Sequence, residues 1–172
     1  FYWMDDGSQL YLAVEVEAVN NKVNSLRFDF SQNLPAGAAE GATVTTVGAA
    51  EYDDVLTFDP TLAADRVSDD FLTAQCANSN QAGCSETDLS FSVDASNDGV
   101  GGFGQANRTT FYEVSKPLSG DLPIDFSVGQ GDNLGLFLSL SLGNGAKGNT
   151  QWPQFREYLV ITIKGAQPPA TQ

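Results

Sequence analysis

Leu134–Leu142 reads LGLFLSLSL, with leucine at positions 134, 136, 138, 140 and 142. In an extended chain alternate side chains point to opposite faces, so the five leucines share one side. That pattern predicts a strand with one face in a dry interior. The same two-residue step recurs elsewhere. Gln9–Glu17 (QLYLAVEVE) sets Leu10, Leu12, Val14 and Val16 against Tyr11, Ala13, Glu15 and Glu17, and Asn24–Phe30 sets Leu26, Phe28 and Phe30 against Arg27 and Asp29. Phe1–Met4, Thr43–Val47, Tyr52–Phe58, Leu89–Val93, Thr109–Ser115, Ile124–Val128 and Glu157–Lys164 are further strand candidates. Asp5-Asp6-Gly7-Ser8 reads as the turn of a hairpin between the first two strands. Asp59–Thr73 is the one candidate helix, with Asp59 as cap and Pro60 in the first turn, and Asp94–Gly104 reads as a loop. Short strands punctuated by Gly, Pro and Asp predict an all-β, antiparallel β-sandwich with jelly-roll or immunoglobulin-like layers. One domain is expected over residues 1–164, followed by a Pro-containing tail or linker at 165–172.

Composition narrows the function. Twenty-two acidic residues stand against eight basic ones, a formal net charge of −14. Such a surface repels phosphate backbones, so nucleic acid is not an expected partner, and it attracts oxygen-seeking cations. The chain contains no His. That removes the common general base and the common zinc ligand, and argues against triad hydrolases and zinc peptidases. No apolar run approaches the ~20 residues of a membrane span, so membrane insertion is not expected. Cys76 and Cys84 bracket a polar stretch, CANSNQAGC. A local disulfide closing that loop fits an oxidising compartment, which points to a secreted, extracellular or cell-surface protein.

A family likeness accompanies these patterns. YWMDDGSQLYLAVEVE (residues 2–17) resembles the opening hairpin of family-9-like carbohydrate-binding modules and of DOMON-like domains. NSLRFDFSQN, FYEVSKPLSGD and GDNLGLFLSL are similar to later strands of the same group. Together these segments cover about half the chain; residues 31–108 match loosely, and the strands that precede the Trp-bearing strand in the family have no counterpart here. The resemblance implies a β-sandwich that binds sugars or, in some branches, haem b. In the haem-binding branches a Met and a basic side chain ligate iron from neighbouring strands, which implies Met4 and Lys116 as the pair here.

Among candidate site residues, Asp94-Ala95-Ser96-Asn97-Asp98-Gly99 has the sharpest pattern. Oxygen side chains at alternate positions with Gly sixth match the front of a Ca²⁺ loop, although Gln105 stands where a bidentate Glu is expected. Asp94, Ser96 and Asp98 are therefore candidate ligands, with Asp53 and Asp54 as a second acidic pair. Other acidic clusters are Asp5-Asp6, Asp65 with Asp69-Asp70, and Asp121 with Asp125 and Asp132. Flat rings stack on pyranose faces, which makes Trp152, Tyr112 and Phe103 candidate sugar contacts with Gln154 beside them; Tyr2, Trp3, Tyr52 and Phe155 are also available. Asn107-Arg108-Thr109 is a glycosylation sequon. The expected function is a non-catalytic extracellular module that binds polysaccharide or cell-surface glycan and is stabilised by Ca²⁺. Two alternatives are a fibre or surface-layer subunit that self-associates through a β-strand edge, and a haem b electron-transfer domain.

Overall fold

The leucine ladder organises the larger of two antiparallel sheets. The computed structural model describes residues 1–17, 23–45, 54–58, 67–73, 90–106, 109–120, 125–142, 149–154 and 157–166. Within them the strands are β1 (Tyr2–Asp5), β2 (Gln9–Glu17), β3 (Val23–Ser31), β4 (Thr43–Thr45), β5 (Asp54–Phe58), β6 (Val67–Thr73), β7 (Ser90–Val93), β8 (Val100–Ala106), β9 (Thr109–Pro117), β10 (Asn133–Leu142), β11 (Asn149–Trp152) and β12 (Glu157–Thr162). The smaller sheet has the order β1-β2-β9-β8. The larger runs β4-β12-β10-β3-β5-β6-β7, and β11 also pairs with β10. β10 lies against β3 along one edge, while its other edge is divided between β12 at Asn133–Leu136 and β11 at Leu138–Ser141.

The two sheets pack face to face, as the alternation predicts. Leu10, Leu12 and Val14 of β2 and Tyr112 and Val114 of β9 meet Leu26, Phe28 and Phe30 of β3 and Leu134 and Leu136 of β10 in one core. The turn between β1 and β2 is built as the sequence predicts. Gly7 has φ +87°, and the Asp6 carboxylate accepts from the Ser8 and Gln9 amides, each at 2.8 Å. Asp5 does something further: its carboxylate accepts from the Lys164 amide at 2.9 Å and the Gly165 amide at 2.7 Å, joining the first strand to the chain beyond the last.

Three expectations are corrected. The candidate helix over 59–73 is a strand from Val67 onward, registered on β5 from Asp54↔Phe71 to Phe58↔Val67. Val67, Asp69 and Phe71 alternate with Ser68, Asp70 and Leu72, and pairing with β5 wins over the weak local helix pattern; residues 59–66 lie outside the described residues. The expected loop over 94–104 ends at Gly99, and Val100–Ala106 forms edge strand β8 despite its three glycines. Gly101 has a reason to be there: a Cβ would sit 2.4 Å from Val67 Cγ2, so only glycine lets the two sheets approach this closely. Of the strand expected over 124–128, the described residues 125–128 form a single bridge, Ser119↔Ser127, and residue 124 lies outside the described residues. β11 is a strand beyond those expected from the sequence. Among the described residues no helix is long and apolar enough to cross a membrane.

Candidate functional site

Two places on this frame carry chemistry. The first lies between the sheets. On β9 the inward positions run Tyr112, Val114, Lys116, so the alternation that buries two core residues also buries a lysine. Opposite it the larger sheet offers two inward acids: Asp54, level with Phe30, and Asp69, level with Leu56. Two loops add Asp98 and Asp125.

The Lys116 ammonium sits 2.8 and 2.7 Å from the two oxygens of Asp69 and 2.8 Å from Asp125 Oδ1. Asp54 Oδ2 and Asp98 Oδ1 each lie 3.2 Å away. Phe126 closes the site: its ring centroid is 5.9 Å from Lys116 Nζ and 5.0 Å from the Phe30 ring, and its amide donates to Asp54 Oδ2 at 3.3 Å. Gly120 makes room for this loop, because a Cβ there would stand 2.1 Å from Asp125 Cβ.

Burial and crowding set the protonation of the cage. Burial pushes the Asp54 carboxyl well above the usual range, with Asp69 and Asp125 adding to the rise against the pull of Lys116. Burial, followed by a hydrogen bond with Asp98, pushes Asp69 up to about 7 against Lys116. For Lys116 burial works against the charge, but the field of Asp54 and the bonds to Asp125 and Asp69 outweigh it and raise its pKa.

The second place is the outer face of the four-stranded sheet. Residues across from one another there are Met4, Tyr11, Ser115 and Val100 in one row and Tyr2, Ala13, Glu113 and Gly102 in the next. They enclose an open trough of about 600 Å³. Its floor is small side chains; a Cβ on Gly102 would meet nothing within 4 Å. Tyr2 (65% exposed), Met4 (62%) and Val100 (54%) stand along it. The Tyr11 hydroxyl donates to Asp6 Oδ2 at 2.8 Å, which fixes that ring's position.

The expected ligand residues do not gather in one place. Tyr112 is a core residue, its ring 5.1 Å from that of Phe58. Phe103 is half-exposed on edge strand β8, stacked on Tyr112. Trp152 and Gln154 are exposed at the opposite edge of the sandwich, where Trp152 packs 5.9 Å from Phe1. Met4 and Lys116 point to opposite faces of the same sheet, so one iron cannot be reached by both. Of the candidate metal ligands, Asp54 and Asp98 converge on Lys116, while Asp94 and Ser96 form the turn that carries Asp98 there. Asp94 Oδ1 accepts from the Ser96 amide at 3.0 Å, and the Asp98 amide donates to Asp69 Oδ2 at 3.3 Å. Asp53, Asn107, Tyr52, Phe155 and the two cysteines of the expected disulfide, Cys76 and Cys84, lie outside the described residues.

Asp69 and Asp125 as cage members, and Lys116 as their counter-ion, are roles that residue spacing alone does not suggest. The available signal was a lysine in phase with Tyr112 and Val114. No protein-family model matches the chain, and no curated protein matches it.

Proposed function

We propose that this chain is a non-catalytic extracellular binding module for neutral polysaccharide, with the trough on the four-stranded sheet as its binding face and calcium bracing its loops. The trough carries this reading. A pyranose ring presents C–H groups on its faces and hydroxyls around its rim. Tyr2, Tyr11 and Met4 offer apolar surface for the faces, and Glu113 and Ser115 offer acceptors for the rim. An open trough accepts a chain along its length, where an enclosed pocket would accept an end. The excess of acidic charge disfavours uronic-acid and sulfated chains and leaves neutral glycans as the matching class. Hydrolysis of a glycoside needs two carboxylates flanking the bond. Glu113 is the one carboxylate among the described residues lining the trough, and this supports binding without cleavage.

Affinity electrophoresis and calorimetry against neutral polysaccharides, run with CaCl₂ and with EDTA, test the proposal. Retardation by at least one glycan is expected, with Tyr2→Ala and Tyr11→Ala each weakening it about tenfold or more, a change equivalent to ~1.4 kcal/mol. Silence across the panel, or retention unchanged in both variants, overturns it.

A second reading, a subunit that assembles by strand addition, is favoured by the edge position of β1, which among the described residues pairs only with β2. Light scattering at high concentration separates the two: concentration-dependent growth supports assembly, and a constant monomer mass removes it.

A further inference from the structure

We propose that the aspartate cage holds one hard divalent cation of the calcium class beside Lys116, bound by Asp54, Asp69, Asp98 and Asp125. The inference deepens the calcium element of the preceding reading and is independent of the glycan element.

A lysine has three N–H bonds. All three are used, on the two oxygens of Asp69 and on Asp125 Oδ1. Asp54 Oδ2 and Asp98 Oδ1 stand farther off, each 3.2 Å from the nitrogen. Asp54 Oδ1 is buried and accepts no hydrogen bond, and Asp54 as a residue is 2% exposed; Asp98 Oδ1 is buried with no hydrogen bond either, its charged neighbour being the same ammonium at 3.2 Å. An anionic oxygen held away from water with no donor is costly, and a native interior does not leave one without cause. The cage therefore lacks a positive partner that its own residues do not supply: four carboxylates face one ammonium.

Geometry and donor type say which partner fits. Carboxylate oxygens of Asp54, Asp69 and Asp125 lie within 4.8 Å of one another. An ion with oxygen ligands at ~2.3–2.6 Å spans that separation, and its coordination shell tolerates irregular placement. Magnesium, with a stricter octahedron at ~2.0–2.1 Å and a firmer hold on water, suits such a cage less well. The donors are all oxygen and the chain contains no His, so zinc and copper are disfavoured. Access is through Asp98, whose side chain is 31% exposed while those of Lys116, Asp54, Asp69 and Asp125 are at most 2%. The rival means of neutralising the cage is protons, including one shared between Asp69 and Asp98.

Calorimetric and thermal titrations of the EDTA-stripped full chain with CaCl₂, MgCl₂ and ionic-strength-matched NaCl separate the two. One Ca²⁺ per chain is expected, with a rise in unfolding midpoint that exceeds that for Mg²⁺ and is absent with Na⁺. Asp54→Asn and Asp125→Asn should each weaken Ca²⁺ tenfold or more, while Asp70→Asn, on the outer face, changes affinity less than threefold. Should those cage variants fail to fold, Mn²⁺ added to the wild-type chain provides the readout: the amides of Lys116, Asp98 and Phe126 should broaden first. The proposal is overturned by a calcium response no larger than that to sodium, by broadening centred elsewhere, or by affinity lost in Asp94→Asn but kept in both cage variants, which would move the ion to the turn. No glycan enters the experiment, so failure on the glycan panel and failure here are separate results.

Discussion

Lys116 and Asp69 meet across the gap between the two sheets, the ammonium within 2.8 Å of both carboxylate oxygens. One residue comes from the third strand of the smaller sheet and the other from the penultimate strand of the larger, so this bond clamps the layers together. Removing one member of a buried charged pair leaves the other uncompensated, at a cost of ~3–5 kcal/mol. Lys116→Met is expected to lower stability by about that amount or to prevent folding in metal-free buffer. Urea unfolding monitored by Trp fluorescence reads it, and a loss below ~1 kcal/mol would mean that the clamp contributes little.

The cage also sets how stability depends on pH. The folded pKa of Asp69, about 7, lies above its ordinary 3.8, and that of Asp54 is raised in the same direction. The folded state therefore binds these protons more tightly than the unfolded state does. The Asp69 contribution is complete below about 3.8 and is lost as pH rises toward about 7, and Asp54 acts in the same direction. In EDTA the urea midpoint should fall between pH 4.5 and pH 7.5, and Asp69→Asn should flatten that slope. A midpoint that rises over the interval contradicts the assignment.

Two glycines on β8 give opposite predictions. Gly101 faces inward, where a Cβ would be 2.4 Å from Val67 Cγ2, whereas on Gly102 a Cβ would meet nothing. Gly101→Ala is expected to destabilise by ~1–3 kcal/mol through overpacking. Gly102→Val should leave stability equal or slightly higher, since a β-branched residue suits a strand, yet it raises the trough floor and should abolish glycan retention. Thermal melts with affinity electrophoresis check both; retention that survives Gly102→Val places the ligand elsewhere.

Gly120 gives an independent test of the cage. A Cβ there would lie 2.1 Å from Asp125 Cβ, so Gly120→Ala must push Asp125 away from Lys116. A loss of ~1–3 kcal/mol is expected, together with a weaker calcium response. An unchanged melt and titration would show that the loop yields without disturbing Asp125.

The layers were legible because their signal is local. In β2, β3 and β10 each inward residue sits two positions from the next, and burial follows that step from Leu10 to Leu12 and from Leu134 to Leu136. β6 and β8 were misread for opposite reasons. In β6 two adjacent acids mask the alternation, one of them turned inward to Lys116. In β8 one of the glycines that signal a loop, Gly101, is what permits close packing over Val67. The cage was illegible as a unit because its members are separated by 47 residues at Asp69–Lys116 and 72 at Asp54–Phe126, distances no motif spans. The trough was hidden because strand order, not spacing, brings Tyr11 beside Ser115 and Met4 beside Tyr11.

The bond between Asp5 and Gly165 has a consequence for synthesis on the ribosome. The Asp5 carboxylate waits for amides made 159 and 160 residues later. Ile161 and Ile163, both essentially inaccessible to water, emerge equally late. A nascent chain halted before them would leave bare the edge of β10 that β12 pairs with, so the two layers close only after β12 has been made.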